Sequence, residues 1–216
     1  RYRNRSISRL KSNSRMTSIQ LKSFCFFVFM SFGMYFCFGQ EIKSIGVPYV
    51  QNYPKSAYTA GNQNWSVAKD KAGVMYFGNT QGLLTYDGKY WQQYQLPNKQ
   101  IVRAVAAGND GRIYSGGFGE FGYWSYKNRI LSYTSLTQLI PKKNTLKDEI
   151  WKIYVDGKSV IFQSSSTIFI YENEKISAIT GPATYLFLHK VNNRFYIEGL
   201  GIGLFELVGG KLVPLK

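Results

Sequence analysis

An internal repeat constrains this chain more than any other feature, because a unit that recurs at a fixed spacing buries its surface by stacking on copies of itself. Residues 65–90 run WSVAKDKAGVMYFGNTQGLLTYDGKY. Short apolar and aromatic runs alternate there with Asp, Asn and Gly. The pattern reads as a strand ending near Lys69, a turn at Asp70–Gly73, a strand VMYFG, a turn at Asn79–Gly82, a strand LLTYD and a Gly88 turn into YWQQY. Glycine suits such turns because it reaches positive φ without a steric penalty.

The same order recurs. In VRAVAAGNDGRIYSGGFGEFGYWSYKNRILSY, Val105, Gly111, Tyr114 and Gly116 match Val67, Gly73, Tyr76 and Gly78. Gly122 and Tyr126 match Gly82 and Tyr86 once a two-residue insertion is allowed. In the third copy Trp151, Ile153, Asp156, Phe162 and Tyr171 answer Trp65, Val67, Asp70, Phe77 and Tyr86. In the fourth, Asn193, Tyr196, Gly203 and Lys211 answer Gly73, Tyr76, Gly82 and Lys89.

One four-stranded antiparallel sheet cannot cover both of its own faces, so the copies must pack against each other around an axis. The fold expected is therefore an all-β β-propeller, with blades at 64–98, 99–147, 148–182 and 183–216. Closed propellers take roughly four to eight blades. Four copies without a closing strand predict an incomplete propeller whose remainder lies in sequence beyond this chain. Residues 40–63, which include GVPYVQNYP, are expected to form a lead-in or a closing outer strand.

The formal charge of +15 invites a nucleic-acid reading, but seven of the 27 basic residues fall in 1–39, which hold no acid, leaving 20 against 12. No Lys/Arg run that would track a phosphate backbone remains; Lys142 and Lys143 are the densest pair and sit in a turn-like stretch. No direct nucleic-acid contact is expected of this segment.

From Met16 the chain reads MTSIQLK and then SFCFFVFMSFGMYFCFG, a short basic segment followed by an apolar run, which is secretory signal architecture. Small residues approach the end of the run, placing cleavage between Gly39 and Gln40; a retained membrane anchor is the competing reading. Residues 1–15 form a Ser/Arg-rich extension upstream of Met16, either a lengthened basic region or not native to the protein. Both cysteines, Cys25 and Cys37, lie in the apolar run. Beyond it there is no thiol for a nucleophile, a metal site or a disulfide.

With the repeat written out, the blades resemble the two-component regulator propeller repeat. Asp70, Gly73, Tyr76, Gly78, Thr80, Gly82, Tyr86 and Asp87 carry the resemblance, and Asn109-Asp110-Gly111 through Gly116 follow it less closely. Tyr114–Tyr123 resembles the longer blade variant of Bacteroidetes-type sensors, in which a periplasmic propeller precedes a triple-tyrosine module, a membrane span and a cytoplasmic output domain. The resemblance implies the N-terminal part of such a protein, exported and anchored in the inner membrane. It also implies a periplasmic segment that senses a small molecule or carbohydrate, or that contacts the rest of the same sensor, with a homodimer as one assembly it allows. A secreted propeller that binds glycans, an enzyme without an output domain and a structural interaction platform are the alternatives.

Motifs for chemistry are sparse. The sequence holds no G-x-S-x-G elbow, Walker loop or H-E-x-x-H, so no catalytic residue, metal ligand or cofactor is assigned and the chain reads as a non-enzyme. His189 is the single histidine and is read as a structural or surface residue. Asp70, Asp87 and Asp156 fall at turns, where a carboxylate bonds its own backbone, and Asp148 and Glu149 read as a solvated turn between blades. Two features are assigned to ligand binding. GGFGEFGYW is expected to lengthen a loop that projects Phe118, Glu120 and Phe121, with a packing loop as the alternative. Trp65, Arg103 and Trp151 open successive blades, where aromatic and guanidinium groups can stack on and hydrogen-bond a sugar or peptide, with packing between blades as the alternative.

Overall fold

The computed structural model describes residues 50–181 and 183–215, with isolated positions at 19, 22, 26 and 46. The extension 1–15, nearly all of the export segment with Cys25 and Cys37, and the Gly39–Gln40 junction lie outside the described residues. The chain divides into two units, and the second, Asn52–Lys216, contains every described sheet. Among the described residues no helix is long and apolar enough to cross a membrane.

Four four-stranded antiparallel sheets follow one another in chain order. Blade one is β1 (Asn64–Lys69), β2 (Met75–Asn79), β3 (Gly82–Tyr86) and β4 (Trp91–Tyr94). Blade two is β5 (Ala104–Ala107), β6 (Ile113–Gly117), β7 (Glu120–Lys127) and β8 (Ile130–Ser135). Blade three is β9 (Ile150–Asp156), β10 (Ser159–Ser164), β11 (Thr167–Glu172) and β12 (Lys175–Thr180). Blade four is β13 (His189–Val191), β14 (Arg194–Gly199), β15 (Gly203–Val208) and β16 (Lys211–Pro214). Within each blade every strand pairs with the next in sequence, and the first strands β1, β5 and β9 lie side by side. This is the propeller architecture.

Alternation along the strands sends one set of side chains to the preceding blade and the other to the following one. Tyr76 and Leu83 of blade one meet Val105, Ile113 and Trp124 of blade two. Tyr114 and Phe121 of blade two meet Phe162, Phe169 and Tyr171 of blade three. Ile161 and Ile168 of blade three meet Leu188, Ile197 and Phe205 of blade four. The core is therefore three slabs between sheets, and the small residues of the repeat make room for them. A Cβ on Gly116 would stand 2.6 Å from the Ile150 Cβ of the next blade. Gly82, at φ 121°, would direct one into the Tyr94 carbonyl oxygen.

Register corrects the alignment of the second copy. Asn79 pairs with Gly82 in blade one and Gly117 with Glu120 in blade two, so the two hairpins have the same length. There is no insertion: Glu120 and Trp124, rather than Gly122 and Tyr126, occupy the positions of Gly82 and Tyr86.

Three hairpins are also tighter than their composition indicated. Asn128-Arg129, Asn173-Glu174 and Asn192-Asn193 each have two central residues at positive φ, between 48° and 67°. Such pairs make type I′ turns, whose twist matches the flanking strands.

Of the segment 40–63, the described residues 50–63 contain no strand. Within them, residues 53–61 include a one-turn helix, α1 (Lys55–Tyr58), and form a strap against blade one. Tyr53 packs edge-on to Trp91 and its hydroxyl lies 2.7 Å from that of Tyr86; Tyr58 packs on Trp91 as well. The buried Asn79 side chain fastens the strap by accepting from Gly61 N at 3.0 Å and donating to Gly61 O at 2.8 Å.

Candidate functional site: an arginine clamped between tryptophans

Trp65, Arg103 and Trp151 lie on three successive blades, in or just before the first strands β1, β5 and β9. Trp65 and Trp151 are the second residues of β1 and β9, and Arg103 immediately precedes β5. Because these strands lie side by side, the three side chains form one row. The Arg103 guanidinium carbon is 3.8 Å from the Trp65 ring centroid and 5.4 Å from that of Trp151. On its far side Trp151 meets Phe187, just before β13, at 6.1 Å. A cation between two indoles is held electrostatically by their π faces, with its planar fork kept rigid. Trp65 and Phe187 remain 43% and 47% exposed, so the row presents aromatic surface to solvent.

Glu149 completes the arrangement. Its Oε1 accepts from Arg103 Nε at 2.9 Å, with the two side chains only 15% and 18% exposed. The sequence places Glu149 and Asp148 in a solvated turn, and both are instead engaged. Asp148 accepts from the Ser165 hydroxyl and from Ser166 N at 3.1 Å, while its carbonyl receives Gly119 N at 2.9 Å. The signal that could have found Glu149 is its place two residues before the Trp that opens blade three, opposite the Arg that opens blade two.

The hydrogen-bonding capacity of this region is not used up. Ser66 Oγ, Gln100 Oε1, Arg103 Nη1 and Asp148 Oδ1 are buried without a hydrogen-bond partner among the described residues. Buried polar atoms are ordinarily satisfied, by water where protein does not reach. Exposed indole faces beside a fixed guanidinium can take a ring compound by stacking on its carbon face.

The hairpin expected to project is not a long loop. Phe121 is fully buried, its ring centroid 4.5 Å from that of Phe162 of the next blade and tilted to it. Glu120 faces its own sheet, accepting from Tyr133 OH at 3.0 Å and Ser135 Oγ at 2.7 Å. Burial first, and then the Glu120 charge, pushes the Tyr133 phenol well above the usual tyrosine value. Phe118 alone is exposed, at the turn, and a backbone bridge to Glu149 sets it beside the Arg103 row. The structure thus brings Arg103, Trp151, Trp65 and Phe118 to one region and turns Glu120 away.

The turn aspartates divide. Asp70 accepts from Val74 N at 2.9 Å and Tyr76 OH at 2.9 Å. Asp87 accepts from Tyr90 N at 2.7 Å and Lys89 N at 2.8 Å, and these backbone donors hold its carboxyl below the usual range. Asp156 takes a different part, pairing with Lys190 of blade four at 2.9 Å. His189 is exposed at the start of β13. No group of three or more metal-ligating side chains gathers among the described residues.

Two hollows lie away from the row. One of about 340 Å³ sits between Tyr114 and Asp110 of blade two and Val155 and Lys158 of blade three. The other, about 530 Å³, lies between β12 and β16, beside Tyr185. In the first, the phenol is already spent on Asp110 at 2.9 Å. The second is walled mainly by apolar groups, with the unpartnered Tyr185 hydroxyl beside them.

No family model matches the sequence, and no curated protein matches it. Solved structures do. The chain superposes on the extracellular domain designated hybrid two component system BT4673 from B. thetaiotaomicron with a TM-score of 0.54 at 18% identity, over 73% of this chain and 22% of that one. The corresponding BT3049 domain gives 0.54 at 16% identity, over 71% and 22%. The WD40 propeller domain of Doa1 gives 0.51 at 12%, over 71% and 54%. These likenesses define the fold class, a β-propeller, and the chain spans about a fifth of the length of the Bacteroides domains it matches.

Proposed function

We propose that this chain is a periplasmic ligand-sensing propeller segment of a transmembrane signal-transduction or transcriptional regulator, one that binds its ligand without transforming it. The observation that carries this reading is the Arg103 clamp: a guanidinium fixed 3.8 Å from one indole, with solvent-facing aromatic surface on either side. Rigid scaffolds that present a few aromatic and polar groups of this kind hold sugars and peptides by stacking and hydrogen bonding. The export-type leader and the extracellular domains of two component systems among the structural neighbours support the placement outside the cytoplasm.

The test is calorimetry of the complete exported region against a panel of neutral and acidic oligosaccharides. Arg103→Ala and Trp151→Ala should each weaken the tightest binding by about tenfold or more, and Glu120→Ala should leave it unchanged. Unaltered affinity in the first two variants overturns the site. Turnover of the sugar during the titration overturns sensing in favour of catalysis.

A further inference from the structure

Strands β5 and β9 begin at the Arg103 row and end, away from it, in the turns 108–112 and 157–158. The hollow of about 340 Å³ lies between these turns, lined by Asn109, Asp110 and Tyr114 of blade two and by Val155, Lys158 and Val160 of blade three. Its size is at the lower end of the roughly 300–1,000 Å³ that small-molecule sites occupy. Such sites combine apolar walls with a few polar groups, and this one does so: Tyr114 and Val160 are each 3% exposed.

On the blade-two side stands a carboxylate that is oriented but not used up. Tyr114 OH donates to Asp110 Oδ2 at 2.9 Å and Arg112 N to Oδ1 at 3.1 Å. A carboxylate oxygen accepts about two hydrogen bonds, so each keeps capacity, and the side chain is 46% exposed. The Arg112 fork is turned elsewhere: its Nε stands 3.6 Å from Oδ2, while the guanidinium lies over the Tyr123 ring and donates to Tyr171 OH at 3.3 Å. Lys71 of blade one donates to Asn109 O at 3.3 Å and steadies the turn from its other side. On the blade-three side stands Lys158, exposed and without an ion pair among the described residues. Asp110 and Lys158 thus line one hollow without pairing with each other.

We infer that this hollow binds a free α-amino acid with an apolar side chain. The ammonium of the ligand meets Asp110, its carboxylate meets Lys158, and its side chain lies against Tyr114, Val155 and Val160. An anion and a cation set apart beside apolar walls match a zwitterion. A neutral sugar offers neither charge, and a simple anion or cation would meet one group of its own sign. The hollow lies at the opposite ends of β5 and β9 from the Arg103 row, so either place can be filled with the other empty.

Calorimetry of the complete exported protein against L-leucine, L-leucinamide and N-acetyl-L-leucine tests this, because the second compound lacks the carboxylate and the third the ammonium. Leucine should bind at least about fivefold tighter than either derivative. Lys158→Ala, at an exposed turn, should weaken leucine about fivefold and make leucine and leucinamide bind equally. Asp110→Asn should do the same for leucine and N-acetyl-leucine. Leucine should also slow hydrogen exchange at 108–113 and 157–160 and leave the Arg103 row unaffected. No saturable heat with leucine overturns the site. Equal affinities for the three compounds, or an unchanged preference for leucine over leucinamide in Lys158→Ala, overturn recognition of a zwitterion. Protection by leucine at 64–67 and 101–104 instead assigns it to the row and overturns the hollow.

Discussion

At the scale of single residues, the clamp is a compromise between burial and charge. Arg103 and Glu149 are both more than four-fifths withdrawn from water, so each depends on the other for its solvation. Glu149→Ala should lower the unfolding free energy by about 2 kcal/mol, measured by urea denaturation, because it leaves a largely buried guanidinium with no carboxylate. Gly116→Ala should cost about 1–3 kcal/mol in the same assay, since the added methyl meets Ile150 across the interface between blades. The phenols of Tyr76, Tyr114 and Tyr133 add a dependence on pH. Burial first, and then hydrogen bonds or charge from Asp70, Asp110 and Glu120, raises all three above the ordinary 10.0. A raised folded value means the neutral phenol is favoured by the fold. The stabilisation is complete below pH 10.0 and is lost as the pH rises through the folded values. Tyrosinate absorbance from these three should therefore appear in one cooperative alkaline step together with loss of the sheet signal in circular dichroism, not as independent titrations beforehand.

At the scale of strands and turns, much was legible because the repeat writes turn chemistry into sequence. The strand limits of blade one follow the Asp70–Gly73, Asn79–Gly82 and Gly88 turns closely. The failures have physical causes. Gly122 aligned with Gly82 by composition, but register is set by pairing across the hairpin, where Glu120 takes the place of Gly82. The error created a loop that the chain does not have, and with it a binding role for Glu120. Asp148 and Glu149 were illegible because two acids in a linker look solvated until the neighbouring blade supplies Ser165 and Arg103. The clamp itself was partly legible: Trp65, Arg103 and Trp151 share a repeat position, whereas Phe187 precedes a degenerate first strand. Type I′ turns closed by Arg129 and Glu174 could not be read from residues that rarely take positive φ. Arg129→Gly at the exposed turn should accordingly stabilise the protein by about 1 kcal/mol, seen as a higher midpoint in urea.

At the scale of the whole molecule, each blade buries its faces only against a neighbour, so stability is shared through the stack. Phe162, fully buried in the slab between blades two and three, is a direct reporter of that sharing. The strap belongs to the same scale, because it covers a face that in the other blades is covered by a sheet. A ligand that stacks on the clamp must slow backbone exchange where the first strands open and leave the opposite ends alone. Hydrogen exchange of the complete exported region, with and without the tightest oligosaccharide of the panel, measures this directly. Protection is expected at residues 64–67, 101–104 and 149–152, with none at 108–113 or 157–160. Protection confined to the latter segments, beside the hollow between Asp110 and Lys158, would contradict it.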